Sequence, residues 1–190
     1  CLKLMEEIGD AEGIGTSLNN IAGIYDAQND ISKAIEFYER ALHVHEKNAN
    51  KMGASTTLNN IGLVYLNTRE YSKALKYFYK SMATQKIIGD KSGWATSVNN
   101  LGLVYSGLGD KEKALEYFMR SLRTQEEISD KGGILFSLNN IGSVYADMGD
   151  FVKAEAFCKK SMGLAQELGF PENIRNSSRL LHTLYAKKGK

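Results

Sequence analysis

The stretch Leu18-Asn19-Asn20-Ile21 decides the fold, because it returns three more times at a constant interval of 40 residues. A fixed period of this length is typical of arrays in which one supersecondary unit is repeated and stacked. Asparagine is about 0.5–0.7 kcal/mol less favourable than alanine inside a helix, so eight asparagines at fixed positions need a reason. The later copies are Leu58-Asn59-Asn60-Ile61, Val98-Asn99-Asn100-Leu101 and Leu138-Asn139-Asn140-Ile141.

Each repeat is predicted to contain two helices, as residues 91–130 illustrate. Apolar residues at i, i+4, i+7 and i+11 give the first helix one buried face. A second amphipathic helix begins after Asp110, a residue type that caps helix N-termini. We name these helices A and B. Short turns such as Gly109-Asp110 join them, so neighbouring helices are antiparallel. The predicted inner face of helix A is Trp94, Val98, Leu101 and Tyr105, and that of helix B is Ala114, Phe118, Ser121 and Ile128.

The repeat also predicts the organisation of the whole chain. Residues 1–10 align with the end of a helix B, and residues 171–190 with a partial fifth repeat. Four full repeats lie between them, at residues 11–50, 51–90, 91–130 and 131–170. Both ends therefore fall inside a repeat, and we expect a single array that is a fragment of a larger protein. The predicted fold is all-α, a right-handed superhelix of antiparallel helix pairs.

Composition narrows the class of partner. The 24 basic and 22 acidic residues are dispersed, which argues against nucleic acid or an anionic membrane as the main partner. No apolar run is long enough for a membrane span and no leader pattern opens the chain, so we expect a soluble, cytoplasmic protein. Cys1 and Cys158 give no disulfide framework. Cys158 stands where other repeats carry an aromatic residue, which predicts a buried thiol.

Signals for catalysis are weak. His43 and His45 lie two residues apart, on nearly opposite sides of a helix, so they cannot share a metal there. We expect both to be solvated. The chain contains no phosphate-binding loop, HExxH sequence, Gly-x-Ser-x-Gly sequence or dinucleotide fingerprint. The sequence therefore predicts a non-catalytic protein with no metal and no cofactor.

The repeat resembles a long variant of the tetratricopeptide repeat. That family's helix A carries a large residue, glycine or alanine, and tyrosine, and its helix B carries alanine, an aromatic residue, and alanine or serine. Two departures are the absence of proline after helix B, and the last unit, where Arg179-Leu180 replaces the asparagine pair and His182 the small residue. The matching residues are Ile21-Ala22 with Tyr25, Ile61-Gly62 with Tyr65, Leu101-Gly102 with Tyr105 and Ile141-Gly142 with Tyr145, followed by Ala34, Tyr38, Ala41, Ala74, Phe78, Ser81, Ala114, Phe118, Ser121, Ala154, Cys158 and Ser161.

Repeats with a Leu-Asn-Asn-Leu segment and units near 40 residues are similar to those of kinesin light chains, spindle-orientation adaptors and bacterial regulators. The resemblance implies an adaptor that holds an extended peptide in a concave groove lined by helices A. It also implies that the second asparagine of each pair contacts the peptide. The leading candidates are therefore Asn20, Asn60, Asn100 and Asn140.

The residues themselves suggest the same surface. A helical wheel places Thr96, Asn99, Asn100 and Leu103 opposite the core stripe, and a carboxamide can both donate to and accept from a peptide backbone. If neighbouring helices A lie about 10 Å apart, the helices A of the four full repeats would span about nine residues of an extended peptide. The further predicted peptide-binding residues are Asn19, Asn59, Asn99, Asn139, Thr56, Thr96, Leu63, Leu103 and Phe136.

Two alternatives remain open from the sequence. One asparagine of each pair can be structural, bonding the neighbouring repeat, while the other faces water. At the level of the whole protein, the alternative is a structural or self-association array in a bacterial signalling protein. In that case, the contacts would be made by the convex or end surfaces.

Overall fold

The computed structural model describes residues 2–171, 174–175, 178–179 and 181. This part of the chain is helical with short turns and contains no strand, which confirms the all-α prediction. Residues 1–97 and residues 98–190 form two compact units. The helices are α1 (Leu2–Ile8), α2 (Ala11–Ala27), α3 (Ile31–Lys47), α4 (Lys51–Asn67), α5 (Tyr71–Ile88), α6 (Lys91–Gly107), α7 (Lys111–Glu127), α8 (Lys131–Asp147) and α9 (Phe151–Leu168).

The helices are separated by short turns, including the predicted turn at Gly109-Asp110. Each turn contains a pair of residues, and the first of the pair has a positive φ, which glycine adopts without strain. The second usually caps the next helix; for example, Asp110 Oδ1 accepts from the Lys113 amide at 3.1 Å. Glu70 is an exception and makes no side-chain cap bond. The residues with positive φ are Gly9, Asn29, Ala49, Arg69, Gly89, Gly109, Ser129, Gly149 and Gly169.

Small residues let helices A and B of one repeat pack closely. In the first unit, a Cβ added to Gly62 would lie 2.6 Å from the Phe78 ring, closer than carbon atoms can approach. In the second unit, a Cβ added to Gly142 would lie 2.9 Å from the Cys158 sulfur. Cys158 is fully buried, which confirms its predicted role, and burial raises the pKa of its thiol to about 11.

Each unit has its own apolar core between helices A and B. The described part of the fifth helix A contributes Leu181, which packs against Ala154 and Cys158. The predictions for Leu180 and His182 lie outside the described residues. The first core includes Ala22, Ala34, Tyr38, Ile61 and Val64, and the second includes Ala114, Phe118, Leu122, Leu138, Ile141 and Val144.

An aromatic stack joins the two helices of every full repeat. In the first, Tyr25 of α2 stacks on Phe37 of α3 with ring centroids 5.4 Å apart. The Lys33 ammonium lies 5.0 Å from the Tyr25 centroid and forms an ion pair with Asp30. Equivalent stacks join Tyr65 to Tyr77, Tyr105 to Tyr117, and Tyr145 to Phe157. Such stacking adds to the area buried between the helices.

Candidate functional site

The asparagine pairs form hydrogen bonds between consecutive helices A. In the first unit, Asn60 Nδ2 of α4 donates to Asn19 Oδ1 of α2 at 3.3 Å. In the second unit, Asn140 Nδ2 of α8 donates to Asn99 Oδ1 of α6 at 3.1 Å. The donor is the second asparagine of its pair and the acceptor is the first asparagine of the preceding pair. The 40-residue spacing therefore brings amides from successive repeats into contact.

Asn139 Oδ1 also accepts a hydrogen bond from another helix, from Ser161 Oγ at 2.8 Å. Asn59 Oδ1 lies 3.4 Å from Ser97 Oγ, but the single hydroxyl hydrogen of Ser97 is directed to the nearer Gln85 Oε1, at 2.8 Å. All four first asparagines are half-buried, where a polar group without a partner would be costly. The structural role that the sequence left open for one member of each pair is thus seen for the oxygens of Asn19, Asn99 and Asn139.

The second asparagines differ in exposure. Asn20 is exposed, whereas Asn60 and Asn140 are half-buried. Asn100 is only 6% exposed and already engaged in an interaction within the chain. The expectation that the whole row faces solvent is therefore wrong at Asn100. A helical wheel gives the direction of a side chain relative to its own helix, but it does not show what packs over that side chain.

The remaining predicted contacts surround the asparagine rows. Thr56 and Thr96 are exposed, and their hydroxyls donate to the Met52 and Ser92 carbonyls at 3.1 Å. Each hydroxyl can still accept a hydrogen bond. Leu63 and Leu103 are half-buried, and Phe136 is 59% exposed. Polar and apolar groups thus lie close together on the helices A.

His45 corrects the expectation that both histidines are solvated. His43 is exposed, but His45 is 4% exposed and lies beside Gly15 and Gly53, where an added Cβ would overlap the imidazole ring. Its Nδ1 is buried without a hydrogen-bond partner. Burial lowers the His45 pKa, and the Glu12 carboxylate acts in the opposite direction. The histidine forms part of the wall of a depression that Asn19 and Thr56 also line.

The next two repeats carry glutamine at the position of His45. There Gln85 Oε1 accepts from Ser97 Oγ at 2.8 Å, and Gln125 Oε1 accepts from Ser137 Oγ at 2.7 Å. On α4, in the second repeat, Thr57 replaces the serine and donates instead to the Gly53 carbonyl of its own helix at 2.9 Å. Comparing residues 45, 85 and 125 in the sequence would have identified His45 as an inward-facing residue.

The second asparagines keep hydrogen-bonding groups that the bonds between helices do not use. After the bond to Asn19, the Asn60 amide keeps one N–H and its carbonyl oxygen. Asn140 keeps the same capacity after its bond to Asn99. Within the described residues, no group of three or more His, Cys, Asp and Glu side chains is placed to hold a metal ion. No helix in this part of the chain has the length and apolarity of a membrane span.

Solved structures with similar folds come from several proteins. BtubC (BKLC) from P. vanneervenii has a TM-score of 0.74 and 25% identity over 85% of this chain and 66% of its own. A Rap protein complexed with competence and sporulation factor has a TM-score of 0.87 and 19% identity, covering 98% of this chain and 52% of its own.

A signal transduction ATPase (STAND protein) from Pyrococcus horikoshii, with a tetratricopeptide repeat sensor, has a TM-score of 0.81 and 19% identity. The match covers 98% of this chain and 28% of that protein. The chain therefore spans about two thirds of BtubC, about half of the Rap protein and less of the ATPase.

Sequence comparisons identify the repeat itself. No curated protein sequence matches the chain. Family models described as tetratricopeptide repeat match residues 53–127, and also residues 14–50 and 137–168. Together these segments include both helices of the first three full repeats nearly complete and most of the fourth. The chain therefore belongs to the tetratricopeptide-repeat family.

Proposed function

We propose that this chain is a non-catalytic binding module that holds an extended segment of a protein partner along its helices A. Its fold is that of protein-interaction scaffolds, and a Rap protein of similar fold was solved in complex with competence and sporulation factor. The backbone of the bound segment is recognised by Asn20, Asn60 and Asn140, while its side chains contact the neighbouring hydroxyls and apolar groups.

The observation that carries the proposal is that first and second asparagines use different groups within the chain. Asn19, Asn99 and Asn139 use their oxygens for bonds to other helices, whereas Asn20 is exposed and Asn60 and Asn140 use one N–H. A carboxamide with a remaining N–H and oxygen can pair with a peptide C=O and N–H. The inter-repeat bond also fixes the orientation of the Asn60 and Asn140 side chains, which lowers the entropy lost on binding.

The spacing of the helices suits an extended segment. Adjacent helices A lie about 10 Å apart, which is about three residues of extended chain. Within the first unit, Asn20 and Asn60 can therefore contact peptide groups about three residues apart. In the second unit, Phe136 is exposed beside Asn139 and Asn140 along α8 and offers an apolar surface for a ligand side chain.

The experiment starts from peptides selected for binding from a displayed random library. Their affinity is measured by calorimetry for the wild type, for Asn20→Ala and for Asn20→Ala/Asn60→Ala. We expect the double variant to bind at least tenfold more weakly. Gln166→Ala is the matched control, because it removes an exposed carboxamide from α9, a helix B, and should leave affinity unchanged.

Stability needs a separate measurement, since Asn60→Ala also removes the bond to Asn19, worth about 1 kcal/mol. Asn20→Ala makes no such change and should weaken binding with the melting temperature preserved. Peptide affinity that is unchanged in both variants would exclude the asparagine row as the binding site.

A further inference from the structure

Helix α5 differs in charge from the other B helices of the full repeats. It carries Lys73, Lys76, Lys80 and Lys86 and contains no aspartate or glutamate. The helices α3, α7 and α9 each mix both signs, with acidic residues at Glu36, Glu39, Glu46, Glu112, Glu116, Glu126, Glu127, Glu155 and Glu167. In a chain with a formal net charge of only +2, this is a marked local excess of positive charge.

The excess is concentrated at two outward positions four residues apart. In α7 these positions hold Glu116 and Arg120, an i,i+4 ion pair with 3.8 Å between charged atoms. In α5 they hold Lys76 and Lys80, so a stabilising pair is replaced by two like charges, which destabilises a helix. Both lysines are exposed, and in the described part of the chain neither ammonium is within 4 Å of a carboxylate.

The surroundings define a small basic stripe. Lys73, Lys76 and Lys80 follow i, i+3 and i+7 and so lie along one side of α5, over about 10 Å. Lys73 is paired with Glu70 at 2.6 Å. The Lys76 ammonium lies 5.7 Å from the centroid of the Tyr77 ring. The uncompensated charge is therefore that of Lys76 and Lys80.

Besides Glu70, an acidic residue of α3 lies near the stripe. Glu39 of α3 is close enough to Tyr77 to contribute to the raised pKa of its hydroxyl, although burial is the main cause. Glu39 is exposed and forms no ion pair with Lys76 or Lys80. Glu39 therefore lies beside the basic stripe and does not neutralise the charge of Lys76 or Lys80.

We propose that the outer face of α5 docks an acidic segment of a protein partner, with carboxylates of that segment pairing with Lys76 and Lys80. This surface lies on a helix B and does not depend on the asparagine row. An acidic segment fits by charge complementarity, because α5 places two like positive charges at the positions where α7 has an ion pair. Pairs between exposed groups are screened by salt, so docking should weaken as ionic strength rises.

The test uses a fluorescein-labelled poly-glutamate dodecapeptide, titrated by anisotropy with the wild type and with Lys76→Glu. The substitution restores a Glu–Lys i,i+4 pair with Lys80. We therefore expect at least a tenfold loss of affinity together with an unchanged or higher melting temperature. If the variant lost affinity and also had a lower melting temperature, this would count against the proposal.

The matched control is Arg123→Glu in α7, which makes the same change in net charge at an exposed position. Its affinity should stay within about threefold of the wild type. Equal losses in both variants would show attraction by net charge alone and overturn the proposal. The proposal would also be overturned if the wild type did not bind the peptide. The same holds if a single-stranded oligonucleotide of the same charge bound equally or more tightly and its binding depended on Lys76.

Discussion

The unpartnered imidazole of His45 gives a prediction whose sign and pH dependence both follow from the structure. Replacing it by glutamine, together with Thr57→Ser, copies to the junction of the first and second repeats the pair that joins Gln85 to Ser97 at 2.8 Å. A buried polar atom without a partner costs about 1–3 kcal/mol, and a new hydrogen bond contributes about 1 kcal/mol. Allowing for altered packing against Gly15, we expect the double variant to be about 1 kcal/mol more stable at pH 8.

The pH dependence provides a second readout. Burial lowers the pKa of folded His45, so below about pH 6.5 the unfolded chain binds more protons than the folded chain. The wild type therefore loses stability as the pH falls from about 6.5 towards the folded pKa. The variant lacks this loss, and its advantage should grow between pH 8 and pH 5.

The assay is denaturant unfolding at both pH values, followed by circular dichroism. His43→Gln is the matched control, because it makes the same substitution at an exposed position two residues away on the same helix. Its stability at pH 8 should equal that of the wild type. If the double variant is no more stable than the wild type, or if the two lose stability in parallel on acidification, the account of His45 is refuted.

Three further predictions concern packing and turns. Gly62→Ala should destabilise the fold by about 1–3 kcal/mol, because the methyl group meets a buried ring, whereas Gly163→Ala, in open space on α9, should stabilise it by up to ~1 kcal/mol in thermal melts. Ala49→Gly should stabilise the fold by about 0.5–1 kcal/mol, because the φ of Ala49 is +54°. Ala83→Gly, inside α5, should destabilise it by about 1 kcal/mol, and equal effects of the two substitutions would contradict the turn geometry. Cys158, with a thiol pKa of about 11, should resist alkylation at pH 8 until the chain unfolds, as mass spectrometry of its peptide would show.

The sequence predicted much of the fold because the repeat supplies several copies of each signal. The position of Gly109-Asp110 agrees with that of Gly149-Asp150, so the helix boundaries do not depend on a single weak propensity. Each turn also requires a residue in the left-handed region, and glycine or asparagine meets that need at most of them. Arg69 and Ala49 adopt the same conformation without being suited to it, and only the register of the repeat predicts them.

Side-chain contacts between helices were harder to predict. The spacing shows that Asn60 and Asn19 lie on neighbouring helices A, but not that the amides come within 3.3 Å. Nor does it show that Asn100 is covered while Asn20 is exposed. The burial of His45 is indicated by its equivalents Gln85 and Gln125 in the repeat, and not by its spacing from His43.

The central claim, that Asn20, Asn60 and Asn140 hold the backbone of an extended peptide, is tested most directly by altering the backbone of the ligand. N-methylation removes one backbone N–H at a time and leaves the side chains unchanged. A selected peptide is therefore synthesised as a series, each member N-methylated at one position, and titrated by calorimetry. We predict that N-methylation weakens binding at least tenfold at a few positions, two of them about three residues apart, and that the other members stay within about threefold of the parent peptide. Similar affinities for all members of the series would contradict the claim.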